Sequence, residues 1–130
     1  IHDRDAHEDT LEILRECASA DQRIVFHCYS GDAAMAQRLA EHGWYASFAG
    51  PITYPANSDL RAALAVLPRE LVLVETDAPY LTPVPWRGCP NASYVMAHTV
   101  RFIAELWGVS EAAACDQLRA NTEAVYGSWW

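Results

Sequence analysis

The stretch LVLVETDAPY, residues 71–80, decides the fold of this chain of 130 residues. It begins with four aliphatic residues and ends in two carboxylates, Glu75 and Asp77, before Pro79. A near-continuous aliphatic run is typical of a parallel strand that is buried on both faces. Because a strand that only filled a core would end in turn residues, we interpret the two acids as functional groups. The stretch therefore predicts a buried parallel strand over residues 71–75 that carries carboxylates at its C-terminal end.

Further segments of the chain have the apolar pattern of a helix or of a strand. The predicted helices cover residues 9–19, 33–41, 57–67, 92–107 and 110–125, and the predicted strands cover residues 23–29 and 44–50. We interpret Ile1 and His2 as the last residues of one more strand. Helices and strands alternate with short connections, which is typical of βαβ units and of one α/β domain with a parallel sheet.

The charge of the chain limits the ways in which it could bind nucleic acid. Its 9 basic residues, all of them Arg, are outnumbered by 17 acidic residues, and the formal net charge is -8. A protein that grips duplex DNA by neutralising many phosphates is usually basic. The acidic balance argues against that mode but leaves a nuclease open, because bound divalent cations supply positive charge at a phosphate.

The sequence also predicts the cellular compartment of the protein. No apolar run approaches the roughly 18 residues of a transmembrane helix, and the start, IHDRDAHEDT, lacks the pattern of a signal peptide. The 4 cysteines have no CxxC spacing, and we interpret them as reduced thiols of a cytoplasmic protein, with disulfides in a secreted protein as the alternative. Trp129 and Trp130 are predicted to pack as apolar side chains.

Polar side chains lie at the C-terminal end of each predicted strand. His2 ends the first, His27 lies near the end of the second with Ser30 just beyond it, and Asp77 follows the last. In parallel α/β proteins, ligands bind at the carboxyl ends of the strands. Imidazole together with carboxylate suits Zn, Mn or a related divalent cation. Three strands therefore direct a His, a His and an Asp towards one edge of the sheet.

Each of these residues also has a structural interpretation. A His at a strand end often serves as a hydrogen-bonded structural residue, and an Asp there often caps a turn. Glu75 could pair with Arg4 or Arg87 instead of serving a metal. The remaining histidines lie on or beside helices and are predicted to be surface residues: His7, His42 and His98.

Six short motifs occur together in an order that resembles one known family. They are IHDRDA at 1–6, HCYSG at 27–31, SFAG at 47–50, VETDAPYLTP at 74–83, RGCPN at 87–91 and ANTEAVYG at 120–127. This set resembles the TatD family of metal-dependent deoxyribonucleases over essentially the whole chain. Two positions depart from the family's pattern, which has Phe at Tyr29 and Pro at Ser93.

The resemblance implies a TIM-type (β/α)8 barrel with a site for two divalent cations, expected to be Mg, Mn or Zn. It implies that His2, His27 and Asp77 are metal ligands and that Asp77 takes a proton from the attacking water. Glu75 is then expected to orient a ligand or the substrate. Arg87 is expected to contact phosphate, since its planar fork matches phosphate geometry, with a salt bridge that holds the loop as the alternative. Ser30 is a further candidate for binding substrate.

Two motifs of the family are absent from the chain: the opening HxH and the GExGLD glutamate. We therefore expect residues 1–130 to be the C-terminal half of a single barrel domain, about four strands with their helices, and to be inactive in isolation. For the complete protein, the resemblance implies cleavage of DNA phosphodiester bonds, as a 3′-to-5′ exonuclease on single strands or 3′ ends. The alternatives are an amidohydrolase or an aminoacyl-tRNA deacylase on the same barrel, and a non-catalytic half-barrel.

Overall fold

A computed structural model describes residues 1–128, so the predicted packing of Trp129 and Trp130 lies outside the described residues. Three parallel strands alternate with helices along the chain. The helices are α1 (His7–Cys17), α2 (Ala33–Glu41), α3 (Ser58–Val66), α4 (Met96–Trp107) and α5 (Glu111–Tyr126), and the strands are β1 (Val25–Phe26), β2 (Tyr45–Phe48) and β3 (Val72–Val74). The predicted α/β class and the predicted parallel sheet are confirmed.

The sheet has the order β1-β2-β3, with both pairs parallel. Phe26 is opposite Ala46, and Phe48 is opposite Val74. The predicted strand that ends at His2 is present as a single parallel bridge between His2 and His27. Its position beside β1 places the end of that segment at the same edge of the sheet as the ends of the other strands.

The strands are shorter than the apolar runs that predicted them. The run at 23–29 forms regular pairs over Val25–Phe26, because Cys28 adopts a left-handed backbone with φ of 46° and turns the chain. At 71–75, residue Leu71 belongs to a 3-10 turn, so β3 begins at Val72. Glu75 still donates its backbone N–H to Phe48, 3.1 Å away, and thus continues the hydrogen bonding beyond the strand.

The helices pack on the sheet around one core of apolar side chains. Its largest fully buried members include Phe26, Phe48, Leu11, Leu39, Ile52, Leu64, Ile103 and Val72. Burial of each such side chain stabilises the fold by about 1.5–3 kcal/mol. In α1 only Leu11 is fully buried and Ile13 is 58% exposed, so the apolar stripe of that helix is narrower than its sequence suggests. None of the described helices combines the length and apolar character needed to cross a bilayer.

A buried amide fastens the last helix to the strand that carries the carboxylates. The side-chain nitrogen of Asn121 donates to the carbonyl oxygens of Arg69 and Val72, each 2.7 Å away, and its oxygen accepts from Gln117. The side chain is 3% exposed, and burial of an amide is tolerated when its hydrogen bonds are satisfied. Asn121 therefore fixes the start of β3, three residues before Glu75 comes into the site.

The loop after β3 lies directly on the loop after β2 at Gly50. A β-carbon built on Gly50 would lie 2.0 Å from the carbonyl oxygen of Leu81 and 2.8 Å from the backbone nitrogen of Pro83. These contacts are with backbone, which cannot rotate away as a side chain would. The glycine of the SFAG motif thus allows the segment that carries Asp77 to pack against the sheet.

We predict that Gly50→Ala destabilises the protein by about 3 kcal/mol, at the upper end of the usual cost of overpacking. Gly43→Ala is the matched control, since a β-carbon there meets no atom of residues 1–128 within 4 Å and its φ of +67° is the unfavourable feature. That strain costs roughly 1–2 kcal/mol. Urea unfolding of both variants measures the difference, and equal losses of stability would show that the Gly50 contact is unimportant.

Candidate metal centre

The ends of the strands meet in one cavity of about 520 Å³. His2, His27, Ser30 and Asp77 line it together with Asp3, Arg4, Asp5, His7, Cys28, Tyr80 and Leu81. We call this space the metal cavity. The structure thus brings the three predicted metal ligands to one place, as expected for the carboxyl ends of parallel strands.

His27 lies between the two acids at the end of β3, Glu75 and Asp77. Its Nδ1 is 2.7 Å from Oε1 of Glu75, and its Nε2 is 3.8 Å from Oδ1 of Asp77. Glu75 also accepts a hydrogen bond from the backbone N–H of Cys28 through its other oxygen, at 3.1 Å. The side chain of Glu75 is 19% exposed and that of His27 is 44% exposed. Glu75 therefore contacts Nδ1 of the imidazole, whereas Nε2 of His27 and the carboxylate of Asp77 face the cavity.

These distances indicate which atoms could share a cation. With ligand bonds of about 2.0–2.1 Å, a tetrahedral cation holds two ligand atoms about 3.3 Å apart. The 2.7 Å between Nδ1 and Glu75 is too short to place a cation between them. The 3.8 Å between Nε2 and Asp77 needs only a small closing movement. The geometry favours Nε2 and Asp77 as ligands, with Glu75 as the carboxylate that orients the imidazole.

The environment of Glu75 fits a bound cation. Its Oε1 is buried and, although 2.7 Å from Nδ1, has no aligned hydrogen-bond donor among the described residues. A buried carboxylate oxygen in that position is unfavourable unless positive charge lies nearby. A cation on the far nitrogen of His27 supplies such charge through the ring. One ligand atom each of His27, Glu75 and Asp77 lies within 4.8 Å of the others.

His2 does not belong to the closest group of metal-ligating atoms among the described residues. Its ring is exposed, and the ring centres of His2 and His27 are 6.1 Å apart. Among the described residues, the close cluster of metal-ligating atoms contains Glu75 instead of His2. His2 lines the same cavity, so its assignment as a ligand remains a prediction that concerns a second cation.

Four residues with left-handed backbone line this cavity, and one of them is Leu81 with φ of 56°. Asp5, Cys28 and Asp77 have φ of 56°, 46° and 55°, and each follows the end of a different strand segment. Such values are uncommon for residues other than glycine, and they concentrate where surrounding contacts enforce them. The backbone therefore turns sharply directly after His27 and two residues after Glu75, next to the two side chains that contact each other in the site.

Asn91 holds the turn that carries Asp77, although it was not among the predicted site residues. Its side-chain nitrogen donates to the carbonyl oxygens of Thr76 and Tyr80, each 2.7 Å away. Its backbone N–H donates to Pro79 at 2.9 Å, and the residue is 6% exposed. The signal was the Asn of the RGCPN motif, but only the structure shows that its partners flank Asp77.

The electrostatic field of the cavity is negative. Burial, followed by the charges of Glu75 and Asp77, raises the pKa of the Cys28 thiol to about 11, and Arg4 opposes this shift. Cys28 is therefore a neutral thiol at physiological pH. The same field attracts a cation, which is the physical requirement for a metal site. All four cysteines are free thiols.

The remaining predicted site residues have the following places. The alternative that Glu75 pairs with Arg4 or Arg87 is wrong, because no described Arg forms an ion pair with it and its Oε1 lies 2.7 Å from Nδ1 of His27. Arg87 does not form the predicted alternative salt bridge with any described residue; its guanidinium stacks on the ring of Tyr54 at 4.0 Å. Ser30 is exposed at the cavity and donates to the carbonyl oxygen of Asp3 at 3.2 Å.

Two interpretations of neighbouring residues change. His7 was predicted to be a surface residue, but it is half-buried at the cavity, and its Nδ1 is 2.6 Å from Oδ2 of Asp3. The hydroxyl of Tyr29, where the resembled family has Phe, donates to the carbonyl oxygen of Asp32 at 2.7 Å. The departure from the family's pattern is thus accommodated by one hydrogen bond.

The fold and the site together define a class of protein. An α/β chain that gathers imidazole and carboxylates at the carboxyl ends of parallel strands has the architecture of a metal-dependent hydrolase. A family model described as TatD related DNase matches residues 1–127. The chain belongs to the TatD family.

Named relatives agree with this assignment. The chain is 40% identical over 130 residues to a Mycobacterium tuberculosis protein named uncharacterized metal-dependent hydrolase TatD, and it covers 49% of that protein. It is 42% identical over 110 residues to the Escherichia coli K12 uncharacterized metal-dependent hydrolase YcfH, of which it covers 42%. The chain spans about half the length of the curated relatives it matches.

Solved structures show the same fold. The Escherichia coli TatD homolog YJJV matches with a TM-score of 0.88 at 28% identity, over 98% of this chain and 49% of that one. A TatD family hydrolase of Entamoeba histolytica matches with a TM-score of 0.84 at 14% identity, over 98% of this chain and 50% of that one. The second likeness concerns the fold alone.

We predict that Glu75→Gln weakens Mn²⁺ binding by about 10- to 100-fold, the usual effect of removing an outer carboxylate from a ligand histidine. The substitution keeps the shape of the side chain and removes its charge. Glu70→Gln is the matched control, because Glu70 is exposed in the turn before β3. Isothermal titration with Mn²⁺ measures both; a Glu75→Gln affinity within twofold of the wild type would contradict the orienting role.

We predict that Asn91→Ala lowers both the stability and the metal affinity, because it frees the turn around Asp77. Loss of a donor to a buried carbonyl costs roughly 1–3 kcal/mol. Asn57→Ala is the control, since its side chain donates to Pro51 and not to the site. Thermal unfolding should show a loss in both variants, whereas Mn²⁺ titration should show one only in Asn91→Ala. Equal metal affinity in the two variants would contradict this.

Proposed function

We propose that the protein is a divalent-metal-dependent hydrolase that cleaves phosphodiester bonds in DNA, as a 3′-to-5′ exonuclease on single strands or 3′ ends. The observation that carries the proposal is the arrangement of His27 between Glu75 and Asp77, with Nε2 and a carboxylate facing an open cavity. Its support from comparison is the description of the matching family as a DNase family.

Each of the cavity residues would have a separate role in the hydrolysis. His27 would hold a cation through Nε2, and Glu75 would keep the ring in the orientation that this requires. A divalent cation bound there supplies Lewis-acid chemistry, which activates water and offsets the charge that develops on the phosphate. Asp77 would accept the proton of the attacking water. His2 would contribute to a second cation in the same cavity.

The identity of the cation follows from the donor set. One or two imidazoles with carboxylates suit Mn or Zn, whereas Mg prefers a shell made of oxygen. We propose Mn²⁺ or Zn²⁺ for the His27 position, and Mg²⁺ for a position with more oxygen ligands. The free thiols fit a reducing compartment such as the cytoplasm.

We also propose that residues 1–130 form the C-terminal half of a TIM-type barrel. Its support is the coverage of about half of each similar protein together with a TM-score of 0.88 to the YJJV structure. The HxH and GExGLD motifs that the resemblance associates with the remaining ligands do not occur in the chain. In this proposal the complete active site needs a second half-barrel.

The test is release of nucleotides from 3′-labelled single-stranded DNA by the protein made from its complete coding sequence. We predict that Asp77→Asn lowers the rate by about 10²–10⁴-fold, the range associated with loss of a general base. Asp21→Asn, at an exposed acid outside the cavity, is the matched control. EDTA should abolish the activity and added Mn²⁺ should restore it.

Two outcomes would overturn the proposal. One is hydrolysis of amide or ester substrates without any cleavage of DNA, which would indicate an amidohydrolase or an aminoacyl-tRNA deacylase on the same fold. The other is the absence of metal uptake by elemental analysis together with the absence of any hydrolysis. That result would indicate a non-catalytic protein.

A further inference from the structure

The metal cavity has two flanks of opposite character. One flank is a cavity of about 420 Å³ that shares Asp5 and His7 with the metal cavity. It is lined by residues 5–9, which include three acids, and one of these, Glu8, pairs with Arg38. The other flank is a cavity of about 430 Å³ that shares Tyr80 and Leu81 with the metal cavity and is lined by Arg87. We call it the Arg87 cavity, and none of the described residues that line it is acidic. A polyanion would be repelled from the first flank and attracted to the second.

Arg87 is placed to bind an anion. It is exposed, and among residues 1–128 no carboxylate forms an ion pair with it. Its guanidinium carbon lies 4.0 Å from the ring centre of Tyr54, whose hydroxyl donates to the carbonyl oxygen of Thr82 at 2.9 Å. The stacking holds the guanidinium over a fixed ring. A guanidinium held in this way and lacking a carboxylate partner suits a phosphate.

Tyr80 separates the metal cavity from the Arg87 cavity. Its side chain is strongly exposed, with 71% relative accessibility. Its backbone is nevertheless fixed, because its N–H donates to Asp77 at 3.0 Å and its carbonyl oxygen accepts from Asn91 at 2.7 Å. An exposed aromatic ring on a fixed backbone is the platform on which single-stranded nucleic acids stack their bases.

We propose that a single-stranded DNA substrate leaves the metal cavity on the side of Arg87, with one base stacked on Tyr80 and the following phosphate bound by Arg87. This path deepens the phosphodiester hydrolysis proposed above and rests on it. The strand does not continue towards Asp5 and Asp9, because its phosphates would meet two carboxylates that no described cation pairs with. The acidic flank thus makes the metal cavity a terminus for the strand, which suits removal of nucleotides from an end.

The path predicts the effects of two variants on the binding of a fluorescein-labelled oligothymidylate, measured by anisotropy in Ca²⁺ with the protein made from its complete coding sequence. Tyr80→Ala should weaken binding by about 5- to 100-fold, the usual range for loss of one stacked base, and Tyr80→Phe should retain it. Arg87→Gln should lower the slope of log Kd against log salt concentration by about 0.7, the value for one phosphate of a single strand.

Tyr94→Ala is the matched control, since Tyr94 is 82% exposed and lines neither cavity. It should bind the oligonucleotide as the wild type does. Circular dichroism of each variant verifies that the fold is retained. Equal weakening by Tyr80→Ala and Tyr94→Ala, or unchanged affinity of Tyr80→Ala together with an unchanged salt slope of Arg87→Gln, would overturn the path.

A second substrate distinguishes failure of the path from failure of the proposed function. Thymidine 5′-(p-nitrophenyl phosphate) has one nucleoside and no following phosphate, so its hydrolysis tests the metal centre alone. If the wild type hydrolyses this ester and the Tyr80 and Arg87 variants bind the oligonucleotide normally, the proposed path of the strand is wrong and the proposed hydrolase activity is retained. If the wild type neither hydrolyses this ester nor binds the oligonucleotide, both proposals are wrong.

Discussion

The contact between Glu75 and His27 is the interaction on which the site depends. It joins the ends of β1 and β3, which are separated in the sheet by β2. Through its second oxygen Glu75 also accepts from the backbone of Cys28, so one carboxylate fixes both the main chain and the ring of the neighbouring segment. The consequence is that Nε2 of His27 faces Asp77. A half-buried acid in contact with one nitrogen of an exposed imidazole determines which nitrogen is left for a cation.

The backbone around this contact is strained and is held by buried polar groups. Cys28 and Asp77 are left-handed, and such conformations cost of order 1–3 kcal/mol each and persist only where their surroundings enforce them. Asn91 supplies hydrogen bonds on both sides of Asp77, and Gly50 lets the same loop lie against the sheet. The amide of Asn91 and the absence of a side chain at Gly50 thus keep the carboxylate of Asp77 in place, although neither residue lines the metal cavity.

Local signals predicted the elements best where a cap and an apolar stripe coincide. Helix α2 has the predicted bounds, because Asp32 caps its start by accepting from Met35 and Gly43 ends it with a φ of +67°. Helix α1 begins two residues earlier than predicted, at His7, and has no side-chain cap. Asn91 shows the limit of motif reading: its hydrogen-bond partners are 11 and 15 residues away, so no local pattern reveals them.

The sequence by itself determined the parallel α/β architecture, the position of the acids at the end of an aliphatic strand, and the resemblance to the TatD family. These features depend on residue type and spacing, which the chain carries locally. Only the tertiary structure decided that Glu75 supports His27 while Asp77 faces the cavity, that His2 lies apart from the closest cluster of ligand atoms, and that Tyr80 and Arg87 flank the site. Those distinctions depend on distances of a few ångströms between residues far apart in the chain, and these arise only when the strands pair.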